Sequence, residues 1–275
     1  MVSESQQNDP VYLDQQMHEA QFHHLVQGDV AVYSCRSPLK EPDHPNEDAA
    51  AIIPFGDDAV VLVVADGMGG EANGDLAAKL AILALKQSVK QGARDDIALR
   101  ESIMDGFEKA NKAVCEIGSG AATTLTVAEI ENNAVRPYHA GDSKLLVVGN
   151  HGKVKLKTVS HSPVDQGVEA GFIDEDDALH HEDLHLVSNY IGTPAMRIEV
   201  GSRRKLAPRD TVLLASDGLF DNLHNDEIIE HIRKGPLEKV ADRLIRHAML
   251  CMGGLSEQEP CKPDDLTFIL YRRSA

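Results

Sequence analysis

The sequence predicts an α+β fold, with antiparallel sheets flanked by helices, on three observations. Apolar runs of strand length, many of them β-branched, recur along the 275-residue chain. The amphipathic segments come in pairs, so the order is strands, two helices, strands, an irregular stretch, one strand, two helices, one strand. A doubly wound parallel sheet would need helices alternating with strands one for one. No internal repeat or composition break marks a second globular unit, and an apolar content of 42% is ample for one sizeable core.

Residues 1–25 lack periodicity and are expected to form a mobile or loosely docked tail, with a single domain over 26–275. GDVAVYSCRS (28–37) alternates as a strand does, and the proline-rich SPLKEPDHPNE (37–47) reads as a loop. DAAAIIPF and DAVVLVVA read as adjacent strands joined near Gly56-Asp57-Asp58, in a sheet covered on one or both faces. Leu76, Leu80 and Leu83 mark the apolar side of a first helix; Ile103, Phe107, Ala110 and Val114 mark that of a second.

Strands return in ATTLTVAEI, AVRPYHA and KLLVVG, with turns at Glu131-Asn132-Asn133 and Asn150-His151-Gly152. Residues 160–195 are irregular, acidic and histidine-rich, the signature of a functional loop; a flap is expected at about 163–192. RDTVLLASDG is a strand ending on Asp-Gly. NDEIIEHIRK opens a helix with Asn225 or Asp226 as N-cap. Leu237, Val240, Ala241, Leu244 and Ala248 line one side of a last helix, and DDLTFILYRR closes the chain as a strand.

A net charge of −17 argues against nucleic acid or anionic membrane as a partner. No apolar run reaches the ~20 residues of a membrane span, and the polar start does not resemble a signal peptide. A cytoplasmic protein is expected. Cys35, Cys115, Cys251 and Cys261 are scattered and include no C-x-x-C, as reduced thiols are.

The chemistry lies in the carboxylates. In VVADGMGGEANGD a buried strand stops on Asp66 and opens into a glycine turn. The same arrangement, an acid at the edge of an apolar strand, recurs at Asp142 in AGDS, Asp217 in SDGLFD, Asp264-Asp265 before LTFIL, and Glu47-Asp48 before AAAII. One Asp-Gly is an ordinary turn. Together, if these strand ends converge on one rim, they crowd carboxylates that repel and raise each other's pKa. Hard divalent cations resolve that, and the absence of His and Cys from these motifs disfavours zinc. Two such ions would activate water against a phosphate. His180, His181 and His185 form no fixed ligand geometry and read as a solvated flap; His23-His24 is blander still.

At these residues the chain resembles the metal-dependent protein serine/threonine phosphatases, the type 2C or PPM family, in its bacterial form. The motifs are NEDA (46–49), VVADGMGG (63–70), Gly74 with Ala77-Ala78, TTLTVAEI, AGDSKLLVVG (140–149), SHSPV (160–164), LLASDGLFDNL and DDLTFIL, in order over about 28–272. The resemblance implies a central β-sandwich of two antiparallel sheets with helices outside, an α-β-β-α four-layer arrangement. It implies that Asp66 bridges two Mn²⁺ or Mg²⁺ ions, that Gly67 gives its carbonyl, and that Glu47 binds the second ion directly or through water. Asp217 and Asp264 complete the first site, Asp142 and Asp217 hold a weaker third ion, and Asp48 orients the metal-activated water. Phosphorylated proteins are the implied substrates of a monomeric enzyme, and a serine/threonine kinase the opposing partner.

Two departures stand out. Relatives carry an arginine shortly before N-E-D to grip phosphate; here the nearest is Arg36, ten residues before Asn46. Met68 takes the place of the histidine that eukaryotic members use as a general acid. A catalytically inactive module on this fold and a small-molecule phosphoesterase are the competing readings. Retention of Asp66, Asp142, Asp217 and Asp264 speaks against the first, and a comparison of phosphopeptides with small esters separates the second.

Overall fold

The computed structural model describes residues 9–41, 43–68, 73–118, 120–254 and 262–273, the side chain of Asp176 apart. Gly69 and Gly70 of the glycine turn, Cys261, and positions 1–8 of the expected tail lie outside the described residues. In chain order the elements are β1 (Val11–Leu13), β2 (Gln21–His24), β3 (Gly28–Cys35), β4 (Asp48–Phe55), β5 (Ala59–Met68), α1 (Gly74–Arg94), α2 (Leu99–Ile117), β6 (Ala122–Thr123), β7 (Leu125–Glu131), β8 (Ala134–Ala140), β9 (Lys144–Val148) and β10 (Val154–Lys157). They continue with α3 (Pro163–Glu169), α4 (Glu175–Ala178), β11 (Glu199–Val200), β12 (Arg204–Lys205), β13 (Thr211–Ala215), α5 (Asp217–Phe220), α6 (Asn225–Ile232), α7 (Leu237–Met252) and β14 (Leu266–Arg273).

One sheet runs β1-β4-β5-β7-β8-β11, with β6 on β5 and β12 on β8; the other runs β10-β9-β13-β14-β3-β2. Every pairing is antiparallel. The two-residue alternation of a strand explains why β4 and β5 are apolar throughout. Ala50, Ile52, Val60, Leu62 and Val64 join the core shared with the second sheet and α7. Ala49, Ala51, Ile53, Val61, Val63 and Ala65 pack under α1 and α2. Both faces are covered, which makes the four layers α-β-β-α.

Three sequence expectations are corrected. The segment expected as a tail is built into the sheets from Val11 onward: β1 pairs with β4 and β2 with β3, and Tyr12, Met17 and Ala20 are buried. Edge strands this short carry no readable period. In α1 the buried face is Ala77, Ala78, Ala81, Ile82, Leu85 and Val89, while Leu83 is exposed. Small alanines let the helix approach the sheet closely, and the leucines flank that contact. The N-cap of α6 is His224, whose N–H donates to Glu227 Oε2 at 3.2 Å, in place of Asn225 or Asp226.

The alternation also aims the site. Asp66 continues the series Val60, Leu62, Val64, and Asp48 begins the series Ala50, Ile52, so both face the inter-sheet space. They are direct register partners across β4 and β5. From the second sheet, β13 delivers Asp217 and β14 is preceded by Asp264-Asp265. Gly218 seats these two segments against each other: a Cβ there would lie 1.9 Å from the Asp265 carbonyl oxygen. Gly218→Ala is therefore expected to destabilise the fold by about 3 kcal/mol, as overpacking against backbone does. Thermal unfolding checks this, with a Tm loss of about 6–10 °C expected.

Candidate metal centre

Each acid is positioned by ordinary sheet chemistry. The Asp66 backbone is fixed by Thr124: its N–H donates to Thr124 Oγ1 at 2.9 Å and its carbonyl accepts from Thr124 N–H at 2.8 Å. Gly67 N–H donates to the Glu47 carbonyl at 3.1 Å, which ties the glycine turn to the start of β4. A Cβ on Gly67 would meet the Gly74 carbonyl oxygen at 2.2 Å, and one on Gly74 would meet Glu47 Oε1 at 2.4 Å. Both glycines are thus required by close approach. Asp142 sits on Gly141-Asp142-Ser143, where the chain crosses from β8 in one sheet to β9 in the other.

These carboxyl groups act on one another. Burial raises Asp66 well above the usual carboxylate range, and Asp48, Asp217, Asp264 and Asp142 raise it further. Burial, then Asp265, raises Asp48 in the same way. Asp142 is pushed up to about 8 by burial, then by Asp217 and Asp221. Asp264 is pushed up to about 7 by burial and Asp217. The structure therefore brings together Asp48, Asp66, Asp142, Asp217 and Asp264. Glu47 joins them through the Gly67 contact and through Lys40.

Asp48 tests what this centre accommodates. Its Oδ2 accepts from Ser216 Oγ at 2.7 Å, while its Oδ1 is buried with no hydrogen-bond partner among the described residues. An orphaned carboxylate oxygen among like charges calls for a proton or a cation. With all donors oxygen, Mn²⁺ or Mg²⁺ fits the set.

Sequence reasoning left three residues without a role. Asp221 lies one helical turn after Asp217 and is buried beside it. Burial and Asp217 push it up to about 7 against the pull of Lys262 and Lys144. The Asp217-x-x-x-Asp221 spacing was the available signal. Asp265 is the anchor of the rim: its Oδ1 accepts from Ser37 N–H at 2.8 Å, and its Oδ2 from Glu47 N–H at 2.6 Å and Lys40 Nζ at 2.8 Å. Lys40 Nζ also reaches Glu47 Oε2 at 2.6 Å. Burial alone would lower this ammonium, but its bonds to Asp265 and Glu47 outweigh that and raise it. Arg36, by contrast, donates from Nη1 to the His44 carbonyl at 3.2 Å and staples the loop that carries Lys40.

His180, His181 and His185 lie in the flap, where His181 N–H bonds the Ala178 carbonyl and its Nδ1 accepts from Asp183 N–H.

The sequence pattern of the family described as protein phosphatase 2C matches residues 40–249. A serine/threonine phosphatase stp of Listeria monocytogenes is 30% identical over 215 residues, covering 74% of this chain and 84% of that one. The S. agalactiae serine/threonine phosphatase shares the fold, with a TM-score of 0.74 at 24% identity over 89% of this chain and 99% of that one. The catalytic domain of the serine threonine protein phosphatase PstP, in complex with two manganese ions, has a TM-score of 0.69 at 26% identity, over 90% and 98% of the chains.

The raised carboxyl groups set a pH dependence for the metal-free fold. Their folded pKa values exceed the unfolded ~3.9, so the folded state holds more protons, and stability falls as pH rises through the folded values. His23, His139 and His231 are lowered, chiefly by burial, and act with the opposite sign, but only below their ordinary 6.5. Above it the aspartates dominate, with Asp142 at about 8; His24, raised by its hydrogen bond to Asp29, acts in the same direction from an exposed position. In EDTA, thermal unfolding is expected to show Tm falling between pH 7 and 9 by about 5 °C, and saturating Mn²⁺ to abolish that slope. A metal-free Tm that rises over this interval contradicts the crowding of these acids.

Proposed function

The chain belongs to the protein phosphatase 2C family, and from that premise we propose that it hydrolyses phosphoserine and phosphothreonine in proteins with the help of Mn²⁺ or Mg²⁺. The observation that carries this reading is the register pair Asp48–Asp66, with the buried and orphaned Oδ1 of Asp48. An inactive module would have no reason to keep so unfavourable a pair.

Bound Mn²⁺ or Mg²⁺ supplies activation of water and neutralisation of phosphoryl charge. The chain's own residues do the rest. Asp66, Asp217, Asp264 and Glu47, with the Gly67 carbonyl, would hold two ions; Asp142, Asp217 and Asp221 would hold a third more weakly. Asp48, fixed by Ser216, orients the attacking water and accepts its proton at Oδ1. Met68 offers no proton to the leaving group. The resemblance suggested Arg36 for the phosphate grip. Lys40 is the cation of that loop placed on the carboxylates, and we assign the grip to it instead.

No helix among the described residues is long and apolar enough to cross a membrane. A net charge of −17 disfavours nucleic acid and anionic membrane as partners; the family resemblance is what implies a cytoplasmic monomer. It acts on phosphoproteins made by an opposing serine/threonine kinase.

Hydrolysis of phosphothreonine peptides by the pure protein is expected to vanish in EDTA and return with Mn²⁺. Asp66→Ala is expected to lose about 10³-fold in kcat, the equivalent of about 4 kcal/mol of transition-state stabilisation. Full turnover in rigorously metal-free protein would sink the reading. The grip has its own test, with p-nitrophenyl phosphate as substrate. Lys40→Ala is expected to raise KM about tenfold, the worth of one charge-assisted hydrogen bond, while Arg36→Ala stays within about twofold of the parent. The reverse ranking returns the grip to Arg36.

A further inference from the structure

Away from the oxygen-rich rim, a second ligand set has formed where the flap leaves the sheets. His139, at the end of β8, stacks on His161 of the SHSPV segment, with ring centroids 4.7 Å apart and planes at 30°. Glu199 of β11 pairs across β8 with His139 as register partner, and its Oε2 lies 3.3 Å from His161 Nε2. One candidate ligand atom from each of the three residues lies within 4.8 Å of the other two.

The hydrogen bonds fix which atoms remain. His139 Nε2 lies 2.9 Å from the Val159 carbonyl and so carries the proton it donates there. That leaves Nδ1 as a bare lone pair, buried and without a hydrogen-bond partner among the described residues. The residue is only 2% exposed. Burial, with His161 next to it, lowers its pKa and keeps the ring neutral. His161 Nδ1 lies 3.1 Å from both the Gly141 N–H and the Gly141 carbonyl, so it either accepts from the first or donates to the second; the metal-competent form is the one that donates. With the proton there, Nε2 presents a lone pair to a carboxylate, two acceptors facing each other. The Asn189 amide offers only a long, shared contact: it lies 3.4 Å from both ring nitrogens and makes its shorter bond to the Arg197 carbonyl at 2.8 Å.

Two imidazoles that each set one nitrogen at a backbone carbonyl, with the other nitrogen of His139 unpartnered and that of His161 3.3 Å from a carboxylate, match the way histidine metal ligands are normally supported. We propose that His139, His161 and Glu199 bind a transition-metal ion, Zn²⁺ being the ion that a two-histidine, one-carboxylate set with an open fourth position suits best. Ligands of a tetrahedral ion stand about 3.4 Å apart. The Glu199 side chain, 55% exposed, is free to close that distance and gives the ion its path from solvent.

The site has a mechanical consequence. His139 lies three residues before Asp142, and His161 two before Pro163, where α3 of the flap begins. An ion here fastens the flap root to the strand that delivers Asp142, so zinc acts on the phosphatase centre from outside it.

The test uses the full chain in millimolar Mg²⁺, which fills the oxygen-only centre, with Zn²⁺ as the calorimetric titrant. The parent protein is expected to bind one equivalent with a micromolar or tighter Kd, and X-ray absorption at the zinc edge to show two imidazoles. Glu199→Gln, at an exposed position, is expected to fold as the parent does and keep its Mn²⁺-dependent turnover. It should weaken Zn²⁺ at least about tenfold. Asp66→Asn/Asp217→Asn is expected to keep the zinc equivalent. An isotherm unchanged by Glu199→Gln, a zinc shell without imidazole, or loss of the equivalent in the Asp66/Asp217 variant overturns the proposal. If His161 instead uses an Nε2–H on Glu199 and accepts from Gly141 N–H, no equivalent binds, and the proposal fails. Turnover of the parent with Mn²⁺ alone reports separately on the phosphatase reading.

Discussion

Two carboxylates face each other across a strand pair, and most of the structure follows from that. Asp48 and Asp66 are register partners on β4 and β5, on the face turned toward the second sheet. Like charges directly opposite on one face of a sheet destabilise it, and burial multiplies the effect. The sandwich makes the arrangement possible because both strands are apolar on both faces and covered by a sheet on one side and helices on the other. Core burial therefore holds in place a constellation that would otherwise spring apart, at the end of the sandwich where ions can enter. Function is obtained here at the expense of stability, and a bound cation restores what the acids take away.

The protein places counter-ions around the pair and not on it. Lys40 engages Glu47 and Asp265, Lys262 engages Asp221 and lies 3.7 Å from Asp217, and Lys144 engages Asp165 at 2.7 Å. Each ammonium neutralises a neighbour of the central carboxylates while the orphaned oxygen of Asp48 stays open. A lysine on Asp66 would satisfy the charge and block the ion. The ring of lysines keeps the acid cluster tolerable.

Much of the frame was legible because it is periodic. The central strands of both sheets, the apolar face of α2 and that of α7 follow directly from spacing. So do the Asn132-Asn133 turn, where both residues have positive φ, and the hairpin at Gly152. What escaped has no local signature. β1 and β2 are edge strands whose partners lie far along the chain. The alanine face of α1 is chosen by how near the helix must come to the sheet, which hydrophobicity alone does not encode. The acids at strand ends could be picked out one by one. Their convergence, the register pairing of Asp48 with Asp66, and the meeting of His139 with His161 and Glu199 depend on which strands neighbour each other. Sequence reasoning looked for a histidine site in the flap, where the residues crowd in sequence; the cluster is at its root, where they crowd in space.

Hydrogen bonding finally sorts acids that the sequence presents as equivalent. Asp264 and Asp265 are adjacent, and both precede the same strand. Asp265 accepts from Ser37, Glu47 and Lys40 and is thereby framework. Asp264 accepts from the backbone N–H of Asp265 at 2.8 Å and is pushed up to about 7 by burial and by Asp217. Asp165 and Asp210 repeat the first pattern: Asp165 accepts from Ser160 and Lys144 and is held below the usual range despite its burial. Asp210 takes both its oxygens to Lys155 and one also to Ala207 N–H at 2.7 Å. Buried acids with their lone pairs filled by protein donors hold the chain together. Acids pushed upward by desolvation and by one another, Asp48, Asp66, Asp142 and Asp264, are destabilising until something external offsets their charge, and all of these lie at one rim. A fold that satisfies its framework acids so completely leaves these four to crowd one another, and what offsets that crowding is a cation.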